Sequence, residues 1–405
     1  MGAAPRRIYL ANGFWQGVSL GGFGLGAMVW WVVDLELSPL RLILLGTVME
    51  AVVLLSESPT GVVADVYSRK WSVVVSWVIM GGAQILTALS GELALLLGWQ
   101  ALWGFGFTFQ SGADTAWVTD EIGRSDDTLV MAKAITTSLG LIVGVGGAVA
   151  LSQWSLTGTI AVSGMLGLAF AVALALVMPE HNFAPVDRSG RSGSATMIDT
   201  WRRGLGLVLG RRVLRIVAIA TFVVGMVDEI VDRLDLARMR ELGFPDLDGA
   251  GSALWFGGVW IAMTVLTLPV MVVVGRRIEA SSDRRSAVIV TSFLAAGAIG
   301  VGFMAGSIFP LAVLGWVLRD VIREVVDPVG EAWVNRHASS DVRATVISFR
   351  NQSTAFGEIF GGLAIGTVAE LVDLRTAFAI GAALLAVSAL QTARLIPEPA
   401  SIPFR

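Results

Sequence analysis

The sequence predicts an all-α membrane protein, with twelve transmembrane helices arranged as two pseudo-symmetric six-helix bundles, and three observations lead there. The first is composition: hydrophobic residues make up 55% of the 405 positions and 47 glycines raise the apolar-plus-glycine share to roughly two thirds, while charged residues fall to 15%, against ~25% in soluble domains. The second is spacing. Apolar runs of spanning size recur from Ile8 almost to the C-terminus, and at about 20 residues per span the chain has room for about twelve with their connections. The third is internal repetition: Ala116-Trp117-Val118 returns as Ala332-Trp333-Val334 at an offset of 216, and Gly140-x3-Gly144 returns as Gly357-x3-Gly361 at an offset of 217. The second match sets Lys133 opposite Arg350, and a weaker echo sets Asp65, Arg69 and Lys70 beside Glu279, Arg284 and Arg285.

The first apolar run follows Arg6 and Arg7 and continues well past the ~7–15 residues of a signal-peptide core, so it reads as a retained helix over 8–33. The next five spans read at 40–65, 71–90, 93–118, 131–153 and 157–178, and the last six at 213–234, 252–275, 287–307, 310–334, 345–368 and 373–394. Between the groups lies the longest hydrophilic stretch, rich in Gly, Ser and Arg, within which Thr200 to Arg212 reads as an amphipathic surface helix. The expected domains are therefore an N-terminal bundle over 1–180, a cytoplasmic linker over 181–212 and a C-terminal bundle over 213–405.

Basic loops resist translocation, so the side richer in Lys and Arg is the cytoplasmic one. With the N-terminus inside, the inner segments hold 21 basic residues, Arg124 and Lys133 among them, and the outer segments hold five: Arg41, Arg233, Arg238, Arg240 and Arg375. Both termini are expected in the cytoplasm of a multi-pass bacterial inner-membrane protein. The chain has no cysteine and only two histidines, His181 and His337, which leaves no thiolate nucleophile, disulfide framework or His-rich metal site. The net charge of −3 gives no reason to expect nucleic acid. Gly204 and Gly206 make no phosphate loop, so ATP-driven transport has no support and no cofactor is expected.

A charge at the centre of a lone span costs about 2.5–3.5 kcal/mol, so carboxylates and guanidinia within spans must face protein or water. The tenth span carries Arg319, Asp320, Arg323, Glu324, Asp327 and Glu331, a load on the order of 15–20 kcal/mol if it faced lipid. Arg319, Arg323, Asp327 and Glu331 recur every four residues and form one stripe, with Arg323 and Asp327 placed to pair. The seventh span holds Asp228, Glu229 and Asp232, the first and third one turn apart; the second holds Glu50 and Glu57 on one face. Gln110 and Asp114 lie in the fourth span, Arg350 and Glu358 in the eleventh, and Asn12 and Gln16 give the first a polar face. A wet cavity between the halves satisfies all of these together. The alternative for each charge is structural ion pairing, the expected role of Asp34, Glu36 and Glu331 near the interfaces. Carboxylates outnumber basic residues within the spans, so acids without a full-time partner are expected to protonate reversibly, Asp114, Glu57 and Asp228 foremost.

At the end of the second span the chain reads Glu57-Ser58-Pro59-Thr60-Gly61-Val62-Val63-Ala64-Asp65-Val66-Tyr67-Ser68-Arg69-Lys70. This resembles the loop signature of the major facilitator superfamily, with Gly61, Asp65, Arg69 and Lys70 matching and Val66 and Ser68 departing. The resemblance implies the major facilitator fold and a cytoplasmic gate in which Gly61 permits close helix contact, Asp65 faces a helix N-terminus near Arg343, and the basic pair reaches a carboxylate such as Asp120. The string Glu-x-Pro-Thr-Gly-x2-Ala-Asp looks most like the macrolide and tetracycline exporter branch. Two antiporter signatures of that branch are incomplete: Leu102 to Ala113 holds no basic residue, and Gly144 is followed by Val145 rather than proline.

The expected function is secondary active transport, a proton-coupled efflux of amphipathic organic compounds or drugs by alternating access, with antibiotic resistance as its consequence. The expected partners are a small-molecule substrate, protons and the lipid bilayer, and the chain is expected to act as a monomer. A facilitator or symporter for a polar metabolite or lipid is the alternative, and an intramembrane acid/base enzyme a remote one, since no nucleophile motif accompanies the acids. Close helix packing is the plain reading of Gly140, Gly144, Gly146 and Gly147, and a flexing fifth span the functional one. Most of the fourteen tryptophans read as anchors or core, with Trp103, Trp117 and Trp316 placed to meet an aromatic or cationic ligand.

Overall fold

The computed structural model describes residues 3–124, 126–185, 212–244, 249–278, 283–337 and 343–396, with 202, 206 and 210 as isolated positions. Within these ranges the side chains of 3, 127, 213, 271, 274–278, 283, 324–337 and 343–348 lie outside the described set. The surface helix expected over Thr200 to Arg212 falls almost wholly outside the described residues.

The order is α1 (Ala3–Val29) with a π-helical turn at Trp30–Asp34, α2 (Pro39–Val66), α3 (Arg69–Leu89), α4 (Leu93–Thr108), α5 (Ala113–Ile122), α6 (Asp127–Ser152) and α7 (Leu156–Val177). It continues with α8 (Arg212–Glu241), α9 (Gly249–Ile278), α10 (Asp283–Ala305), α11 (Phe309–His337), α12 (Arg343–Phe356), a second π-helical turn at Gly357–Gly361, α13 (Gly362–Leu371) and α14 (Leu374–Ala393). Helices suit hydrocarbon because they satisfy their backbone groups within the segment. Polar side chains close several ends: Ser68 accepts from the Trp71 N–H at 2.9 Å, Ser155 from the Gly158 N–H at 2.9 Å and Asp373 from the Thr376 N–H at 2.6 Å. Bonding to Thr376 holds the Asp373 carboxyl below the usual carboxylate range.

All twelve expected spans are helical, with two corrections. The fourth is not one helix but α4 and α5 with a turn between them, and the seventh runs on to Glu241, so Arg233, Arg238 and Arg240 are helical residues rather than an outer loop. Among the described residues, nine helices are long and apolar enough to cross a membrane. The three expected spans that fall short are the fourth, which is broken, and the seventh and tenth, which carry the densest charge.

The chain forms two compact units, Met1–Ile198 with Gly243–Leu268, and Asp199–Leu242 with Pro269–Arg405. The division inside α9 falls at Pro269, whose ring removes a backbone donor from the helix. Each unit has a seam where backbone meets backbone. In the first, α1 lies on α6 so closely that a Cβ at Gly17 would collide with the Thr137 carbonyl, and one at Gly140 with the Phe14 carbonyl. Gly21 and Gly144 extend the same seam, against Leu141 and Val18. In the second unit, Gly225 meets the Thr354 carbonyl, Gly357 the Phe222 carbonyl and Gly361 the Met226 side chain. Lipid tails supply no hydrophobic drive for helix association, so this close van der Waals contact through small residues is what holds the helices together.

Gly146 and Gly147 have no atom within 4 Å of an added Cβ, so only half of the fifth-span glycine run is packing. Gly140→Ala is therefore expected to lower stability by about 1–3 kcal/mol through overpacking, and Gly146→Ala to leave it unchanged or slightly raised. Thermal unfolding of the two variants in detergent checks the contrast.

Candidate functional site

The first unit builds its site around the break between α4 and α5. Gly112 has φ +76°, in the left-handed region, which costs a residue with a side chain about 1–2 kcal/mol. It turns the chain so that Asp114 enters the first turn of α5, where free N–H groups favour negative charge. The break leaves backbone groups to be satisfied, and α2 helps. The Thr60 hydroxyl donates to the Thr108 carbonyl at 3.1 Å, and Ser111 donates to the Glu57 carboxylate at 3.1 Å.

α1 runs past the break and bonds to it rung by rung. Gln16 Nε2 donates to Gln110 Oε1 at 2.8 Å, Asn12 Nδ2 to Asp114 Oδ2 at 2.9 Å, and the Tyr9 and Thr115 hydroxyls meet at 2.9 Å. From α3, Trp77 Nε1 donates to Asn12 Oδ1 at 2.9 Å, fixing which end of that amide faces the acid. Lys133 of α6 closes the cluster: its Nζ bonds Asp114 Oδ2 and lies 5.0 Å from the centre of the Tyr9 ring. Asp114 is only 4% exposed, and removing one partner of such a buried pair costs about 3–5 kcal/mol. Lys133 also belongs to the α1–α6 seam, its Cγ lying 2.6 Å from where a Cβ of Gly13 would sit. The charge on Asp114 and the closest helix contact of the unit thus share one side chain.

These contacts correct two expectations. Asp114 and Asp228 were the leading acids without a full-time partner, yet Asp114 pairs with Lys133 and Asp228 with Arg319. Lys133 counted as a marker of the cytoplasmic loop; it is helical and sits in the site. The signal that could have found it was already present, since the repeat sets Lys133 opposite the intramembrane Arg350. Tyr9, Trp77 and Thr115 also join the cluster without having been singled out, because only contacts between helices bring them there.

The second unit carries a square of charges. Asp228 and Asp232 on α8 face Arg319 and Arg323 on α11, each pair one turn apart. Arg319 bonds Asp228, reaches Asp232 at 2.9 Å and Asp320 at 3.2 Å, and Arg323 reaches Asp232 at 2.7 Å and Asp228 at 3.6 Å. Arg323 is expected to pair with Asp327 along its own helix; among the described residues its partners lie on α8. The side chains of Glu324, Asp327 and Glu331 are outside the described residues. Asp235, buried and one turn further along α8, accepts from the Leu236 N–H at 2.5 Å; it was missed because the span was ended at residue 234. Arg238 closes α10 by donating to the Met304 carbonyl at 2.8 Å and the Gly306 carbonyl at 2.7 Å. Glu50, Arg350 and Glu358 are half-buried on α2, α12 and the second π-helical turn.

A third cluster lies where the loop signature predicted a gate. Arg69 bonds Asp120, reaches Asp65 at 3.2 Å and donates to the Ala116 carbonyl at 3.1 Å. Ser68, where the signature has glycine, has extended backbone and caps α3, so no left-handed conformation is needed there. Its hydroxyl donates to Glu180 at 2.6 Å, and the Lys70 N–H donates to the same carboxylate at 2.9 Å. Glu121 accepts from the His181 and Asn182 N–H groups at 2.7 and 3.0 Å. The segment after α7 is thereby tied beneath the gate. Gly61 has no atom within 4 Å of an added Cβ within its own unit, so the close helix contact expected there is not made in that unit. The side chain of Arg343 lies outside the described residues.

Arg319→Met is expected to destabilise the second unit by up to about 3–5 kcal/mol, because it leaves Arg323 to answer both Asp228 and Asp232, and adding Asp228→Asn should restore much of the loss. A double-mutant cycle on thermal unfolding measures the coupling. Gly112→Ala meets no neighbour within 4 Å, so its expected cost is backbone strain alone, about 1–2 kcal/mol, read in the same assay.

Comparison with solved structures shows the same fold. A mutant of the nucleoside transporter NupG superimposes with a TM-score of 0.80 at 15% identity, covering 97% of this chain and 100% of that one. A POT family transporter in complex with 5-aminolevulinic acid gives 0.70 at 13% identity over 95% and 94% of the two chains. A bacterial homologue of the human lysosomal transporter Spinster gives 0.66 at 14% over 98% and 94%. No curated protein matches the chain by sequence. The Major Facilitator Superfamily model matches residues 14–318, which include the broken fourth span, the loop signature from Gly61 to Lys70, Asp114 with Lys133, and Asp228 with Asp232; the chain belongs to that superfamily of membrane transporters and is not an enzyme.

Proposed function

We propose that this transporter exports amphipathic organic compounds, drugs among them, from a bacterial cytoplasm in exchange for protons. It works by alternating access as a monomer in the inner membrane, with both termini cytoplasmic. The observation that supports the reading most is the buried Asp114–Lys133 pair, held by Asn12 and by the α1–α6 seam. A proton delivered to Asp114 cancels the charge that Lys133 answers, so the ammonium loses its partner and the contact of α6 on α1 is biased toward another arrangement. Inward movement of one proton across 100 mV releases about 2.3 kcal/mol, and each pH unit adds about 1.4 kcal/mol. That is comparable with the cost of separating a buried ion pair. The acid therefore acts as a switch between partners, and Glu57, bonded to Ser111 at the same break, is placed to receive the proton on its way.

A second reading, uptake of a polar metabolite, draws support from the Asp228, Asp232, Arg319 and Arg323 square, whose guanidinium groups suit a polar guest. Solved structures of similar fold include a nucleoside transporter and a peptide transporter. Reconstitution separates the two. In proteoliposomes the exporter reading expects proton flux only when drug is added, and expects Asp114→Asn to reduce that flux by at least about tenfold, the scale set by 1.4 kcal/mol of lost coupling. In cells, expression of the wild type should lower drug accumulation and the variant should not. Metabolite accumulation without drug-linked proton flux would establish the second reading, and full activity in Asp114→Asn would remove that residue from the mechanism.

A further inference from the structure

We propose that the first unit carries a stacking subsite for a planar aromatic compound bearing a hydrogen-bond acceptor, built on α4 by Trp103 and Phe107 against Phe23 of α1. It rests on the transport reading only in taking that compound to be cargo.

Two faces of α4 are committed to its neighbours. A Cβ at Gly104 would meet the Met49 carbonyl of α2 at 2.8 Å, and one at Gly106 would meet Ile79 of α3 at 2.8 Å. At 3.6 residues per turn, Trp103 and Phe107, one turn apart, lie on the remaining face, and the Trp103 ring reaches α1 there. There the Trp103 ring lies nearly parallel to Phe23, at 12° and 6.4 Å, and to Phe107, at 7° and 5.8 Å. Trp31 meets the far side of Phe23 edge-on, at 85° and 6.4 Å. Phe107 is 36% exposed and presents the open end of the stack.

Packing accounts for the rings but not for their polar edges. Buried indole N–H groups ordinarily find an acceptor, and elsewhere in this unit they do: Trp77 donates to Asn12 at 2.9 Å and Trp117 to the Pro179 carbonyl at 2.6 Å. In the stack, Nε1 of Trp31 and of Trp103 is buried and donates to no atom of the described residues, and neither does Nε2 of Gln100, three residues before Trp103 and 2% exposed. The arrangement combines parallel aromatic faces with several donors that lack acceptors, and none of its side chains is charged. A flat ring system with a carbonyl or a ring nitrogen fills both needs, by stacking and by accepting. An aliphatic compound fills neither, and a planar hydrocarbon fills only the first.

The test uses the purified full-length protein in detergent micelles, with empty micelles as the baseline. Acridone, flat and bearing a carbonyl, is titrated by its own fluorescence, and anthracene, of the same shape without the carbonyl, serves as the comparison. The expected result is saturable acridone binding that Trp103→Phe weakens about three- to tenfold, the loss of one hydrogen bond, with anthracene binding unchanged by that variant. Phe107→Leu, at the open end where no core cavity results, is expected to weaken both probes. Helix content and monodispersity confirm each variant's fold. Wild type that binds no acridone above empty micelles, or two variants that bind it as wild type does, would overturn the proposal. Acridone binding without any drug-linked proton flux in proteoliposomes leaves the subsite standing and removes the exporter reading; flux without acridone binding removes the subsite alone.

Discussion

A helix can be interrupted inside hydrocarbon only where the backbone groups it releases find partners in protein, and that constraint shapes the first unit. At the break between Thr108 and Ala113, Thr60 of α2 answers the Thr108 carbonyl, while side-chain bonds from Glu57 of α2 and from Tyr9, Asn12 and Gln16 of α1 fasten both helices along it. Gly112 supplies the left-handed turn that lets Asp114 begin a new helix. Without the break, residue 114 would sit in mid-helix, where no free N–H favours its charge. Asn12, Lys133 and the α1–α6 seam are then fixed by what that carboxylate requires.

The two units repeat one scaffold and differ in what they place on it. The contacts Phe14 with Gly140 and Gly17 with Thr137 return as Phe222 with Gly357 and Gly225 with Thr354, the same residue types at an offset of 208 on one side of each seam and 217 on the other. Carrying the offset of 208 along α1 sets Gly24 on Asp232, and the offset of 216 that relates Ala116 to Ala332 sets Trp103 and Phe107 on Arg319 and Arg323. Trp103 and Phe107 of the stack and Arg319 and Arg323 of the square therefore occupy matching positions of the repeat. One is apolar with donors to spare; the other is ionic and bonded within itself.

Much of this was legible in the sequence, for identifiable reasons. Apolar runs located every span, because the length a helix needs to cross a bilayer leaves a long signal. The glycine pair at 140 and 144 and its echo at 357 and 361 predicted the seams, since small residues four apart mark close helix contact. The charges at 228, 232, 319 and 323 were recognised as a group that must turn inward. Their pairing was not, because a four-residue spacing shows that Arg323 and Asp327 share a face but not which helix lies opposite. The broken fourth span escaped for a similar reason: Phe109 to Gly112 contains no proline, and the conformation of Gly112 follows from the partners that Asp114 finds after folding.

Those partners also bear on how a proton could be made to count. An acid alone in an apolar pocket tends to stay neutral, so its protonation changes little around it. An acid answered by a lysine is held charged, and the proton must compete with an ammonium for the same oxygen. On the proposed mechanism the outcome of that competition is structural, because the stem of Lys133 is packed against the glycine face of α1 while its ammonium answers Asp114, so the loss of that partner bears on the seam. The second unit has no such single contest: Arg319 and Arg323 share Asp228 and Asp232 between them, so protonating either acid leaves each arginine with a remaining carboxylate. Redundant pairing suits an element that must stay put, and a single pair at a helix break suits one that must respond.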